Sequence, residues 1–142
     1  MEHIHAFLNN REIYFVDDDW AVLDTVNYMV ERNIGAVAVV HDGELLGIFS
    51  ERDLMKRVVS QQRNPATTVV GEVMTAEPMV VSPKERIAEC TRLMKENGFR
   101  HLPVCEGRKL VGLISLRDLI LHDLSEREGE VQVMRAYLSQ SS

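Results

Sequence analysis

The chain has 142 residues, of which 45% are apolar and 27% charged, and its formal net charge is −6. This length suits one domain or two small units with a shared core, and the apolar content excludes a disordered chain. The acidic balance disfavours nucleic-acid binding, which needs a clustered basic face. Since apolar runs are only strand-sized and no signal peptide is evident, we expect a cytoplasmic protein without membrane spans.

Cysteine and histidine usage gives no framework for a disulfide or a metal. Cys90 and Cys105 fall inside predicted regular elements, so we expect them to be reduced and buried. The five histidines show no ligand spacing, and we therefore expect no metal site.

An internal repeat dominates the sequence. Gly-Ile-Phe-Ser-Glu-Arg-Asp-Leu at Gly47–Leu54 returns as Gly-Leu-Ile-Ser-Leu-Arg-Asp-Leu at Gly112–Leu119, an offset of 65 residues. The same ungapped offset places Val16 on Val81 and Met29 on Met94. Identities and apolar pattern in one register indicate two copies of one unit.

The first unit is predicted to be strand, helix, strand, strand, helix. Asp17–Asp19 should cap the first helix, and Asp42-Gly43 predicts a hairpin between two apolar strands. The predicted elements are a strand at Ile13–Val16, a helix through Val22–Val30, strands at Ala36–Val40 and Leu45–Phe49, and a helix over Glu51–Gln61.

The second unit follows a polar break and repeats this order. We place repeat 1 at 7–62, the linker at 63–68, repeat 2 at 69–126 and a helical tail at 127–142. The predicted elements are strands at Met79–Val81, Leu102–Cys105 and Leu110–Ile114, helices at Arg86–Glu96 and Leu116–Leu124, and a separate short amphipathic helix after Gly129.

The fold expected from this order is α/β (α+β), with two β-α-β-β-α repeats related by pseudo-twofold symmetry. Neither unit of about 60 residues can bury its sheet alone, because two or three strands leave one apolar face exposed. Stacking the two units covers both faces and leaves a cleft with two related pockets.

Each repeated motif holds a Ser-x-x-Asp pair at a strand-to-helix junction. Ser50 with Asp53, and Ser115 with Asp118, have the spacing of a helix capping box, which needs no ligand. The alternative is that each aspartate accepts hydroxyls from a vicinal diol such as a ribose. Gly47 and Gly112 would then allow close backbone approach.

Arg52 and Arg117 favour a bound anion. Each lies in the first turn of its helix, where the helix dipole disfavours a cation. A guanidinium beside a helix N-terminus is suited to phosphate. The competing interpretation is that each arginine reaches outward to a nearby carboxylate.

These motifs, with Val-Met-Thr at 73–75 and Phe-Arg-His-Leu-Pro-Val at 99–104, resemble the CBS-domain pair, named after cystathionine β-synthase, in its stand-alone bacterial form. The resemblance covers about Ile13 to Leu124. It implies an adenosyl ligand in the cleft between the repeats: AMP first, or ADP, ATP, NAD or S-adenosylmethionine. It also implies assembly as a homodimer.

The resemblance also implies roles for particular residues. Asp53 and Asp118 would hold ribose hydroxyls, with Ser50 and Ser115 on ribose or phosphate. The remaining implied contacts are phosphate at Arg100 and His101, and adenine at the backbone of Val16, Ala36 and Val81. Because Gly35-Ala36 stands where repeat 2 has Arg100-His101, the two pockets should differ.

The function expected from the sequence is a regulatory module that signals to an effector protein or to its own dimer. A structural dimerisation module with vestigial pockets is the alternative. No nucleophile–base pair is evident, so we expect no catalytic residues and no enzyme activity.

Overall fold

The strand registers reproduce the sequence repeat. The computed structural model describes residues 3–8 and 11–141. Val16 lies opposite Val39 in a parallel pair, and Val81 lies opposite Val104 in the same way. The strands are β1 (Phe15–Asp17), β2 (Ala36–His41), β3 (Glu44–Ser50), β4 (Thr75–Ala76), β5 (His101–Glu106) and β6 (Lys109–Ser115). The helices are α1 (Ile4–Leu8), α2 (Val22–Arg32), α3 (Glu51–Asp53), α4 (Ile87–Asn97) and α5 (Leu116–Ser141).

Each repeat is built around an antiparallel hairpin, β2–β3 in the first and β5–β6 in the second. The β2–β3 turn places Asp42 and Gly43 at φ values of 51° and 80°, the left-handed conformations that a tight two-residue hairpin turn requires. The Asp-Gly hairpin predicted from sequence is present, and the α+β class of the fold is confirmed.

The two hairpins meet through a narrow join. The strand order is β1-β2-β3-β6-β5, and Glu44 with Lys109 is the one register pair between β3 and β6. An apolar cluster reinforces the join; it contains Ala38, Val40, Cys105 and Leu110. Side-chain packing therefore does more than the sheet ladder to hold the repeats together.

Two short segments cross between the repeats. We call residues 3–8 and 68–76 the lead segments, since each precedes a repeat in the chain. Val70 and Val73 are buried in the core of repeat 1, where the Val22 N–H donates to the Thr68 carbonyl at 2.8 Å. Ile4 is fully buried in the core of repeat 2. Each lead segment thus completes the core of the repeat that it does not precede.

The motif glycines make room for these segments. A Cβ on Gly47 would lie 2.5 Å from the Thr75 carbonyl oxygen, and one on Gly112 would lie 2.8 Å from Leu8 Cδ2. A side chain at Gly47 would force the Thr75 backbone to move, whereas one at Gly112 would require the Leu8 side chain to shift. The close backbone approach expected at these glycines therefore serves packing within the chain.

The cap predicted for α2 was wrong. Asp17–Asp19 do not cap α2: its N-cap is Ala21, without a side-chain bond, and Asp18 pairs with His41 at 3.2 Å. The helix expected over Glu51–Gln61 is present: α3 covers Glu51–Asp53 and continues as a π-helix, Leu54–Val59.

The tail is not a separate helix. Helix α5 runs unbroken from Leu116 to Ser141, because the cost of Gly129 in a helix interior, about 1 kcal/mol, is too small to end it. An i,i+4 ion pair from Arg127 to Asp123 supports the turn before Gly129.

The predictions for the Met79–Val81 strand, the two cysteines and the repeat boundaries had different outcomes. The strand predicted at Met79–Val81 is reduced to the single bridge at Val81. Cys90 and Cys105 are buried free thiols, as expected, and burial raises the pKa of Cys90 to about 11. The boundaries 7–62, 63–68 and 69–126 stay predictions, although core packing crosses them at both lead segments.

Replacing Ile4 with alanine tests whether the first lead segment packs into the core of repeat 2. The side chain is fully buried in repeat 2, so Ile4→Ala should lower the free energy of unfolding by about 2–4 kcal/mol in urea titrations. The control Val30→Ala alters a side chain that is 72% exposed and should stay within about 0.5 kcal/mol of the parent. An Ile4 variant as stable as the control would contradict this packing.

Candidate functional site

The two motif helices begin at one cleft between the repeats. At its two edges, the Glu51 N–H donates to the Gly35 carbonyl at 3.0 Å, and the Leu116 N–H donates to the Arg100 carbonyl at 2.8 Å. The cleft has a volume of about 870 Å³. It is lined by Gly35, Ile48, Ser50, Glu51, Arg52, Thr75, Glu77, Pro78, Met79, Gly98, Phe99, Arg100, His101 and Arg117.

Three arginines dominate the charge of this cleft. Arg52, Arg100 and Arg117 are exposed, and within the described ranges no hydrogen bond or ion pair joins their guanidinium groups to another residue. By contrast, the surface Arg92 is held between Glu89 and Glu96. Three like charges without partners at one place favour binding of an anion. The expectation that Arg52 and Arg117 reach a nearby carboxylate is not met.

Part of the cleft lining is apolar. It includes Ile48, Pro78, Met79 and Phe99, of which Met79 is 44% exposed. An aromatic ring and a flexible thioether offer a surface on which a planar base can pack. The cleft therefore combines cationic groups with an apolar platform, as an anionic ligand with an aromatic part would require.

His101 lies among these groups, and its surroundings favour the neutral imidazole. Burial lowers its pKa below the ordinary value, an effect that Asp118 and Glu51 oppose and Arg100 reinforces. A neutral imidazole can donate from one ring nitrogen and accept at the other. An anion bound next to it would favour the protonated form.

Both Ser-x-x-Asp pairs form capping boxes. The Ser50 N–H donates to Asp53 Oδ2 at 3.0 Å, and the Asp53 N–H donates to Ser50 Oγ at 3.3 Å. In repeat 2, the Ser115 N–H and the Asp118 N–H make the matching bonds, each at 3.0 Å. The interpretation of these motifs as helix capping boxes is therefore correct.

The second oxygen of each aspartate is held by a residue that lies within a lead segment or just after it. Thr75 Oγ1 donates to Asp53 Oδ1 at 3.0 Å, and an Arg11 nitrogen lies 3.1 Å from Asp118 Oδ1. Burial alone would raise the pKa of Asp118, but hydrogen bonds from Arg11 and Ser115 hold it below its usual range. Each aspartate thus ties a helix start to a lead segment.

The structure gathers part of the predicted site. Ser50, Arg52, Arg100, His101 and Arg117 line the cleft. The cleft lining does not include Asp53, Ser115, Asp118, Val16, Ala36 or Val81. Of this second group, Val16, Ala36 and Val81 are buried, and both backbone groups of Val81 already bond across to β5. Contacts from any of these residues to a ligand stay predictions.

Sequence reasoning missed several lining residues. Met79, Phe99 and Glu77 lie in the cleft, yet they belong to irregular segments whose path no periodicity reveals. Phe99 directly precedes the Arg100-His101 pair, and this adjacency was the available signal. Thr75 belongs to the Val-Met-Thr motif, but its bond to Asp53 could not be read from spacing.

A second surface depression, of about 960 Å³, lies away from the arginines. His3, His5, Ser82, Lys84 and Glu106 are among its lining residues. None of the repeated motif residues borders it, and it lacks an aromatic wall. We therefore take the arginine cleft as the candidate site.

Comparison with known proteins agrees with the repeat and its motifs. Residues 6–60 and 70–125 each match the family described as CBS domain. The chain belongs to the CBS-domain family. The two matches lie on the two halves that the strand registers relate, so the protein contains a CBS pair.

Relatives and solved structures of CBS pairs resemble it over most of its length. The "CBS domain-containing protein CBSX3, mitochondrial" of Arabidopsis thaliana is 34% identical over 84% of this chain, which spans 61% of that relative's length. A CBS-domain protein from Burkholderia ambifaria is 38% identical, with a TM-score of 0.81 over 87% of this chain and 95% of the other.

One of the similar structures contains a nucleotide. It is CBSX2 of Arabidopsis thaliana in complex with AMP, which is 25% identical to this CBS pair. The TM-score is 0.76, over 89% of this chain and 99% of the other.

Two further observations concern the described residues alone. No group of three or more histidine, cysteine or acidic side chains there is arranged to hold a metal ion. Among the same residues, no helix combines the length and the apolar character needed to cross a membrane.

The two aspartates should differ in their effect on stability. Asp53 is the more buried and also accepts from Thr75, so Asp53→Ala should lower the free energy of unfolding by about 2–3 kcal/mol. Asp118→Ala should cost about 1 kcal/mol, the usual loss of a helix cap. Chemical denaturation of both variants measures this, and equal losses would contradict the asymmetry.

The pH dependence of stability should report the environment of His101. Because its pKa is lowered on folding, the stabilisation it contributes is complete above the unfolded value of about 6.5 and is lost as the pH falls below it. Relative to the parent, His101→Gln should therefore become more stable as the pH falls from about 7.5 to about 5.5.

His41 supplies a control of opposite sign. Its hydrogen bond to Asp18 raises its pKa, so the stabilisation it contributes is present at low pH and is lost as the pH rises. His41→Gln should therefore lose stability relative to the parent as the pH falls. Parallel behaviour of the two variants in thermal unfolding would contradict the assignment for His101.

Proposed function

We propose that this CBS pair is a regulatory module that binds an adenosyl nucleotide in the arginine cleft. The observation that carries the proposal is the convergence of Arg52, Arg100 and Arg117, without ionic partners in the described chain, beside two helix starts. The similar CBSX2 structure in complex with AMP supports a ligand of this class.

The cleft suggests how such a ligand would lie. Its phosphate would occupy the space among the three guanidinium groups, which suit phosphate oxygens because they donate in a fixed fork. Its base would pack on Met79 and Phe99. AMP is the first candidate, and ADP, ATP, NAD and S-adenosylmethionine are the others.

The aspartates offer a route from binding to conformational change. For Asp118 to accept ribose hydroxyls, its ion pair with Arg11 would have to open. Arg11 follows the lead segment that fills the core of repeat 2, so ligand and lead segment would compete for one carboxylate. A ligand shifts such an equilibrium only by its different affinity for the two states.

The output would pass to an effector protein or to a second copy of the chain. CBS pairs are generally regulatory, and we propose that this one has no catalytic activity of its own. Cytoplasmic residence stays a prediction.

A structural module with vestigial pockets is the second candidate. It is favoured by one observation: both motif aspartates are already satisfied, by capping bonds and by Thr75 or Arg11. The arginines of the cleft oppose it, since nothing in the described fold uses their charge.

A thermal-shift panel with AMP, ADP, ATP, NAD and S-adenosylmethionine separates the two candidates. A ligand at a hundredfold its Kd should stabilise the folded protein by about 2.7 kcal/mol. Arg117→Ala should weaken the best ligand about tenfold in calorimetry, the loss expected for a hydrogen bond to a charged group.

Arg108→Ala is the matched control, since Arg108 lies at the β5–β6 turn, outside the cleft lining. It should bind as the parent does. If none of the five ligands shifts the melting temperature of folded protein that is free of co-purified nucleotide, the structural module is favoured. Equal losses in the two arginine variants would place the ligand elsewhere.

A further inference from the structure

The two edges of the arginine cleft are related by the sequence repeat but differ in charge. The offset of 65 residues places Gly35 of repeat 1 on Arg100 of repeat 2, and by the same offset Glu51 corresponds to Leu116. In each pair the later residue donates its N–H to the carbonyl of the earlier one, at 3.0 Å in repeat 1 and 2.8 Å in repeat 2. We call Gly35 with Glu51 the acidic edge and the other pair the basic edge.

The Glu51 carboxylate covers the acidic edge. A Cβ on Gly35 would lie 3.2 Å from Glu51 Oε1, so this carboxylate lies where a side chain at position 35 would begin. Glu51 is exposed, and among the described residues no hydrogen bond or ion pair holds its carboxylate. Its charge also acts on His101, next to the basic edge, where it opposes the lowering of the pKa. An anion that approached the acidic edge would therefore meet a negative charge.

Space does not exclude a ligand from the acidic edge. A neighbouring depression of about 440 Å³ shares Gly35, Glu51 and Arg117 with the cleft. The apolar residues that line this depression include Val26, Met29, Ile34 and Phe49. The acidic edge thus adjoins an arginine and an apolar surface, the two features that suit a nucleotide in the cleft. Charge distinguishes the two edges, and available volume does not.

We propose that Glu51 excludes phosphate from the acidic edge, so that the arginine cleft takes one nucleotide with its phosphate at the basic edge. The inference rests on the proposed function, because it specifies how many of the proposed adenosyl nucleotides bind and in which orientation. A carboxylate and a phosphate carry like charges, and a like charge placed in a site acts against the unwanted ligand. At the basic edge, Arg100 offers the opposite charge and a fork of donors.

Exchanging the acidic edge for a second basic edge tests the exclusion. In the exchange variant, Gly35→Arg with Glu51→Leu, both edges carry the residues of repeat 2. Calorimetry on the full chain should find one bound AMP in the parent and two in this variant. Gly35 does not adopt a left-handed conformation, so its backbone accommodates a side chain once the Glu51 carboxylate is removed. Thermal unfolding verifies that the exchange variant is folded.

Glu51→Gln is a smaller change that removes the charge and keeps the shape of the side chain. It should also bind a second AMP, about tenfold more weakly than the exchange variant, because it lacks the guanidinium that Gly35→Arg supplies. Glu51 lies in the first turn of α3, where it also favours the helix through the dipole. Loss of that effect lowers stability but does not add a ligand. As a control, Glu106→Gln removes a carboxylate outside the cleft lining and should still bind one AMP.

The number of ligands bound separates failure of this inference from failure of the proposed function. One AMP on folded Glu51→Gln would overturn the inference, and a second AMP on the exchange variant alone would then assign the exclusion to the missing arginine at position 35. Two AMP molecules on the parent would also overturn it, since the acidic edge would then admit phosphate. A parent that binds no adenosyl nucleotide would refute the proposed function, and this inference with it.

Discussion

The narrowness of the join between β3 and β6 constrains the whole molecule. With one register pair between the two hairpins, the sheet ladder cannot hold the repeats together. The lead segments supply the missing connection, because each leaves its own repeat and fills the core of the other. The motif glycines are the sequence counterpart of this arrangement, since Gly47 admits the Thr75 carbonyl at a distance that a Cβ would forbid, and Gly112 leaves room for the Leu8 side chain.

The positions of the lead segments also determine which residues contact the motif aspartates. Each aspartate first caps its helix through one oxygen and then, through the other, holds the chain at a lead segment, with Thr75 on Asp53 and Arg11 on Asp118. Packing, helix capping and the proposed ligand response therefore meet at the same two carboxylates. Arg52, Arg100 and Arg117 share the cleft beside them with Glu51 and Glu77, yet among the described residues none of the three guanidinium groups forms an ion pair. Such a concentration of like charge destabilises the empty state modestly and favours an anion.

The repeat made most of the fold predictable. Because both copies share one register, hairpins, bulges and helix starts found in one repeat are found in the other, as with Val39 and Val104. Arg52 and Arg117 followed from their positions in the repeated motif, and Arg100 and His101 followed from the resemblance to the CBS-domain pair. The crossing of the lead segments did not, since periodicity reports which residues are apolar and not which core they enter. For the same reason sequence could not show that Arg11 reaches Asp118 or that Met79 and Phe99 line the cleft. The sequence did not reveal the continuity of α5, because Gly129 resembles a helix terminator although its cost in a helix interior is only about 1 kcal/mol.

The most direct test of the central claim is an NMR titration of the arginine Nε–Hε signals with AMP. The account predicts that the signals of Arg52, Arg100 and Arg117 shift together and saturate at one ligand concentration, while those of Arg92 and Arg108 stay in place. Shifts confined to arginines outside the cleft, or uniform small shifts that salt alone reproduces, would contradict it.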